Sequence, residues 1–267
     1  MEQGPQNIQP GLEPVPPAKM SLLARLTGVF ATPGEVFEQV RDSPPTETNW
    51  LVPALIVMLL GWLGAALVFS QDSIRFQIRE ISEKAIQKQI ERSHMSESQA
   101  EAARQAGEKY GDIGMKINAV IGPALAAWIL PFWGGLIIWL VGKFAFKSSF
   151  SFMKGVEAAG LNNMVVALDA VVRTLLILVT GNVFASPSLM LLVKEWNPEN
   201  TVHSLLGLIN IMTFWTLVVR AIALAKLTRQ SFAKSAIWVF GLWVVYTGSA
   251  FGVGMAVRLL MAKAQHG

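Results

Sequence analysis

The sequence predicts an all-α integral membrane protein whose chain crosses the bilayer five times. Three observations carry this. Apolar residues make up 52% of the 267 and charged ones only 15%, a balance that excludes an ordinary soluble domain. The apolar residues gather into long runs, and five of these reach the roughly 20 residues a helix needs to cross a ~30 Å hydrocarbon layer. The alternating pattern of a barrel strand is missing. Lipid offers a backbone amide no partner, so each run must close its hydrogen bonds internally as a helix.

Residues 1–20 are polar and hold five prolines within the first 17 positions, which reads as a disordered Pro-rich tail without the apolar core of a cleavable signal. The first span is then expected to act as the insertion signal. Residues 21–49 read as interfacial amphipathic helices. In the first, Leu22, Leu23, Leu26, Val29 and Phe30 recur at helical spacing around Arg25. The next stretch, "TPGEVFEQVRDSPP", offers Thr32 as an N-cap, Pro33 at the first helical position and Glu35 at the third, a capping-box arrangement that places Val36, Phe37 and Val40 on one face. Pro44 and Pro45 stop this helix, Asn49 is placed to cap the next, and Trp50 falls at headgroup depth.

Residues 50–260 form the expected transmembrane domain, followed by a short tail, 261–267. The spans are predicted at Trp50–Ser70, Ile117–Val141, Leu161–Thr180, Ser204–Ala225 and Ala236–Val257. Between the first two lies a charged insertion, 71–116, in which eight acidic and eight basic side chains cancel. Ile74, Ile78, Ile81 and Ala85 keep one apolar stripe, and Ser96 with Gln99 boxes the start of a second helix that ends near Gly111. The bland reading is a solvated helical hairpin. A connection this long usually has a task, so 71–116 is also the candidate docking region for a partner. "FKSSFSFMKGVEAAG", from Phe146 to Gly160, fits an interfacial or partly re-entrant helix leading into the third span. The patch "LMLLV" beyond Pro187 is too short to cross.

Lys and Arg number three each before the first span and in the connections after the second and fourth, against one after the third and two at the C-terminus. This favours an N-terminus inside. The basic residues of the first loop oppose that count, but their equal acidic content marks a unit able to translocate whole. The +4 net charge is spread through every loop as topology anchors, and no nucleic-acid partner is expected.

Together, "TPGEVFEQVRDSPP", a span opening with Trp50 and Pro53, "FMKGVEAAGLNNMVVAL" at the third span and "RAIALAKLTRQSFAKSA" joining the fourth to the fifth resemble the Yip1-domain family of five-span membrane proteins over about Ser21 to Leu260. The resemblance implies a cytoplasmic N-terminus. Eukaryotic members act in early secretory traffic and contact small GTPases, but the "DLYGP"-type stretch associated with them is absent here, which argues against a GTPase partner. The resemblance points instead to a prokaryotic member in the cytoplasmic (inner) membrane, where such proteins accompany ABC-type transporters.

Catalytic chemistry has little support. The sequence holds no nucleophile elbow, Walker A loop or His-Glu-x-x-His, no cysteine, and three scattered histidines, so neither enzyme activity nor a cofactor is expected. Glu199 and His203 have metal-ligand spacing without a third ligand and read as a surface pair. Asp169 and Arg173 stand one turn apart inside the third span with the acid N-terminal, the favoured order for an ion pair. With Asn162 and Asn163 on the same helix and Asn210 and Arg220 on the fourth, they suggest an intramembrane polar seam, either structural or a pathway. Gly248 and Gly252 form a GxxxG in the fifth span, and Gly61 with Ala65 a similar notch in the first. Two function classes follow: a non-enzymatic membrane subunit or scaffold serving a transporter or trafficking assembly, and, as the alternative, a small transporter or channel using the Asp/Arg seam.

Overall fold

The computed structural model describes residues 19–193 and 200–264, and the chain there is helical throughout apart from its connections. Two short helices, α1 (Leu22–Ala31) and α2 (Pro33–Asp42), precede α3 (Thr48–Phe69), α4 (Asp72–Arg92) and α5 (Glu97–Phe144). After α6 (Phe152–Thr180) come a single 3-10 turn at Leu189–Leu192, α7 (Thr201–Leu208), α8 (Ile211–Thr228) and α9 (Phe232–Ala264). Among the described residues five helices are long and apolar enough to cross a membrane: Thr48–Phe69, Ile113–Phe144, Phe152–Thr180, Ile211–Thr228 and Phe232–Gly254. The expected five-span, all-α fold is therefore present. The Pro-rich tail up to residue 18 lies outside the described residues.

Several local expectations need correction. Residues 146–160 do not form a separate interfacial helix. The last nine belong to α6, which runs unbroken into the third span, because nothing between Phe152 and Leu161 breaks a helix: no proline occurs, and Gly155 and Gly160 are held by packing. The second helix of the charged hairpin likewise does not end near Gly111. α5 continues through it into the second span, since an isolated glycine weakens a helix by only ~1 kcal/mol and no C-cap geometry forms there. The fourth span starts later than predicted. Ile209 and Asn210 leave helical geometry, α7 stops, and α8 begins at Ile211 with the Asn210 side chain accepting hydrogen bonds from the amides of Met212 and Thr213.

Two predicted caps also fail. Thr32 stands at the start of α2 but makes no side-chain capping bond, and Asn49 lies inside α3, its amide turned to other partners. The capping box of Ser96 and Gln99 forms as predicted.

The helices α1 and α2 are more deeply engaged than surface-lying helices. Val29, Val36, Phe37 and Val40 have no exposed surface, and they share one core with Leu161 and Val165 of α6 and Leu224 and Leu227 of α8. The periodic face predicted from the sequence thus packs on protein instead of lipid. A smaller core of Ala54, Val57, Ala127 and Ala167 joins α3, α5 and α6 where small residues let the backbones approach. A third, of Ile74, Ile177 and Ala185, seats the foot of the hairpin on the end of α6. The hairpin stripe is buried only at this foot, for Ile81 is exposed. Helix α9 is peripheral, held to α8 partly by Phe214 against Phe240 and Trp243.

Candidate functional site

The junction between the N-terminal helices and the third span is built on buried polar side chains. Glu157, in the second turn of α6, has no exposed surface, and Lys154, one turn before it, is 6% exposed. The Lys154 ammonium lies 3.2 Å from Glu157 Oε1 and donates its hydrogen bond to the Val40 carbonyl at the end of α2. Glu157 Oε2 accepts from Asn49 Nδ2 at 2.6 Å, and Asn49 Oδ1 accepts from Arg25 Nη1 at 3.1 Å. One chain of contacts therefore ties α1, the C-terminal end of α2, the start of α3 and the start of α6. A buried carboxylate is tolerated only when it is paired and hydrogen-bonded, and here the two oxygens face an ammonium and an amide.

Close backbone packing holds the same region. A Cβ on Gly160 would stand 2.4 Å from the Cα of Trp50, one on Gly155 2.6 Å from the Gly135 carbonyl oxygen, and one on Gly135 2.6 Å from the Val156 amide nitrogen. These glycines let α6 touch α3 and α5 backbone to backbone. The sequence contained the signal, since "KGVEAAG" places small residues and two opposite charges within one helix entrance, but the stretch reads equally as an interfacial helix until its neighbours are known.

Outside this junction, a clamp closes α2 on α8. Lys226 Nζ lies 2.5 Å from Glu38 Oε1, and Arg41 donates to the Lys226 carbonyl at 3.3 Å while pairing with Asp42 at 2.7 Å. The hydrogen bond and charge of Lys226 hold the Glu38 carboxyl below the usual carboxylate range, and the hydrogen bond from Arg41 does the same for Asp42.

The six residues of the expected seam divide into separate places. Asp169 and Arg173 do face each other, at 3.5 Å, but Arg173 is 49% exposed on the outside of the bundle. The pair is thus not sealed between α6 and α8. Asn210 caps α8 and stands outside the span. Asn162 and Asn163 are buried and, with Arg220, retain polar atoms without a hydrogen-bond partner among the described residues. The Arg220 guanidinium reaches the crossing of α5 and α6, its Nη2 standing 3.7 Å from a Cβ built on Gly134, which itself would meet Ala159. Asn162 and Asn163 are thus the fully buried side chains of α6 in the expected seam, and Arg220, partly buried, reaches the α5–α6 crossing from α8.

The expected packing notches also separate. Gly61 works as one, because a Cβ there would lie 2.6 Å from Pro123. Ala65 instead lines an open cleft. Gly248 and Gly252 meet nothing within 4 Å among the described residues, so the GxxxG of α9 packs on none of them. Of the pair Glu199 and His203, Glu199 lies outside the described residues. Among the described residues no cluster of three metal-ligating side chains occurs.

No curated protein and no solved structure shows a significant match to the chain. The family model of the Yip1 domain does, over residues 27–254, a range that opens inside α1 and closes inside α9 and so takes in the N-terminal helices together with all five spans. On that match and this architecture the chain belongs to the Yip1-domain family of multi-pass membrane proteins.

Proposed function

We propose that the protein is a non-enzymatic membrane subunit that offers its charged hairpin, 71–116, to another membrane protein of a transporter or trafficking assembly. The observation that carries this reading is the continuity of α5. Sixteen residues, from Glu97 to Asp112, precede the span in the same helix and extend about 24 Å from it at 1.5 Å per residue. A load on the hairpin is transmitted to the second span without a hinge. The hairpin also exposes Phe76, Ile81 and Tyr110 among its charges, the mixture of apolar anchors and polar rim that a protein contact uses. We further place the N-terminus on the cytoplasmic side of the cell membrane, as the distribution of basic residues favours.

The test removes the outer hairpin and spares its foot. Deleting 83–110, joining Ser82 to Gly111 by a short Gly/Ser turn and replacing the exposed Phe76 and Ile81 by Gln removes all three apolar anchors, yet keeps Ile74 in its core as well as the Gln77 contacts with Gly181 and Val183. The shortened protein should insert and melt like the parent in detergent, yet lose the partners cross-linked to the full chain. Retention of those partners in the parental proportion would refute the docking role.

A further inference from the structure

Beneath the hairpin, a cleft of about 560 Å³ opens where α3 leaves the membrane and α5 enters it. Its lower wall comes from the last turns of the first span, Trp62, Ala65, Ala66 and Phe69, and from Ala119 and Val120 at the beginning of the second. Its upper wall carries Arg75 and Arg79 of α4 and Lys116 of α5. Three alanines leave the room, and Trp62 is fixed across the cleft by donating its indole N–H to the Val120 carbonyl at 2.7 Å. Apolar walls thus lie inside the span while three cations stand at its boundary.

From this arrangement we infer that the cleft binds an anionic phospholipid, its phosphate between Arg75, Arg79 and Lys116 and an acyl chain along Trp62, Ala65, Ala66 and Val120. The two halves of the cleft match the two halves of that ligand at the depth where a bilayer presents them. Charge selects the class of lipid. Among the described residues no carboxylate lines the cleft: Asp72, ion-paired with Arg75, stands at the surface, and Glu80, next to Arg79, is paired with Lys84. A choline headgroup would bring a fourth cation among three, whereas a glycerol headgroup leaves the phosphate charge uncompensated and attracted. Continuity of α5 from hairpin to span makes the cleft a point where lipid composition bears on both.

Native mass spectrometry of the full chain in mild detergent, titrated with phosphatidylglycerol and with phosphatidylcholine of the same chains, tests this. Wild type should retain phosphatidylglycerol about ten-fold better, the preference that one to two effective cations provide. Lys116→Gln should lower that preference about five-fold by removing one cation. Ala65→Phe should abolish retention by filling the apolar half with all three cations in place, and both variants should melt like wild type. Equal retention of the two lipids by wild type would overturn the proposal, as would a phosphatidylglycerol preference that survives both variants. Soluble glycerol phosphate should not compete at equal concentration. If it does, the cleft binds a free phosphate and the lipid assignment is wrong.

Discussion

Asn49 and Glu157, 108 residues apart in the chain, meet side chain to side chain at 2.6 Å with both residues fully buried. This bond joins the first residues of one span to the first turns of another, and through Arg25 and Lys154 it fastens the two N-terminal helices to them. The N-terminal helices are therefore part of the membrane domain's fold, not a detachable preamble.

Removing one member of a buried pair leaves the other charge unpaired, at a typical cost of 3–5 kcal/mol. Glu157→Ala, which strands Lys154, should accordingly lower the melting temperature in detergent far more than Asn49→Ala, for which a lost buried hydrogen bond suggests about 1–3 kcal/mol. Combining Lys154→Met with Glu157→Leu removes both charges and should recover much of the loss. A double variant as unstable as Glu157→Ala would mean that the ion pair is not what the region depends on.

Packing at the same entrance makes a second prediction. Gly160→Val places a Cβ at 2.4 Å from the Trp50 backbone, which cannot move aside as a side chain tip would. Overpacking of this kind typically costs 1–3 kcal/mol, and contact with backbone argues for the upper end or above. Gly248→Val, with nothing near it, should melt like the parent. Equal effects of the two, measured by thermal unfolding in one detergent, would contradict the crossing geometry.

What the sequence revealed and what it hid divide along physical lines. Span number, the Ser96 and Gln99 box and the shared face of Val36, Phe37 and Val40 were legible because each is a pattern local to one helix. The polar junction was not. Lys154, Glu157 and Asn49 each have an adequate local explanation, as interfacial charges and as a cap, and only the approach of α3 to α6 makes them partners. Asp169 and Arg173 misled in the opposite way. Their i,i+4 spacing correctly gave an ion pair, but spacing along one helix says nothing about which face meets the neighbouring helix. The apolar flanks of Asn210 read as the interior of a span, although asparagine at such a position is a strong helix start.

Five crossings place the two chain ends on opposite sides. With the N-terminus on the proposed cytoplasmic side, a reporter fused there should read inside and one fused after Gly267 outside. Both reporters on one side would contradict five crossings, and a full reversal would overturn the proposed orientation alone.

Acid should weaken the α2–α8 clamp. Glu38 has its folded pKa below the ordinary 4.5 because Lys226 hydrogen-bonds to and attracts its carboxylate. Its contribution is thus complete above about pH 4.5 and is lost as pH falls through the lower folded value. Asp42, lowered by Arg41 from its ordinary 3.8, acts in the same direction further down the scale. The difference in melting temperature between the parent and Glu38→Gln should be constant from neutral pH to about pH 5 and shrink below it. Because Glu38 is 45% exposed, solvent screens the pair and the difference should be small. A difference that grows on acidification would reverse the assigned shift.

The last prediction separates the two intramembrane charges that the sequence grouped together. Arg173 is half-exposed and keeps Asp169 within 3.5 Å, so it can direct its long side chain toward the interface when its partner is removed. Asp169→Ala should therefore cost little, near the ~0.6 kcal/mol average of membrane polar pairs. Arg220 is placed differently, reaching the α5–α6 crossing where Gly134 and Ala159 leave space, without a hydrogen-bond partner among the described residues. If its role is structural, replacing it by an apolar side chain of similar volume, Arg220→Met, should leave thermal stability equal or higher, since the burial of an unpaired charge is relieved. If Asn162, Asn163 and Arg220 line a pathway, Arg220→Met should keep or raise stability while abolishing whatever biological activity the full chain supports, and Asp169→Ala should leave that activity unchanged. A loss of stability in Arg220→Met comparable to that of Glu157→Ala would contradict both roles, because it would require a strong ionic partner for Arg220.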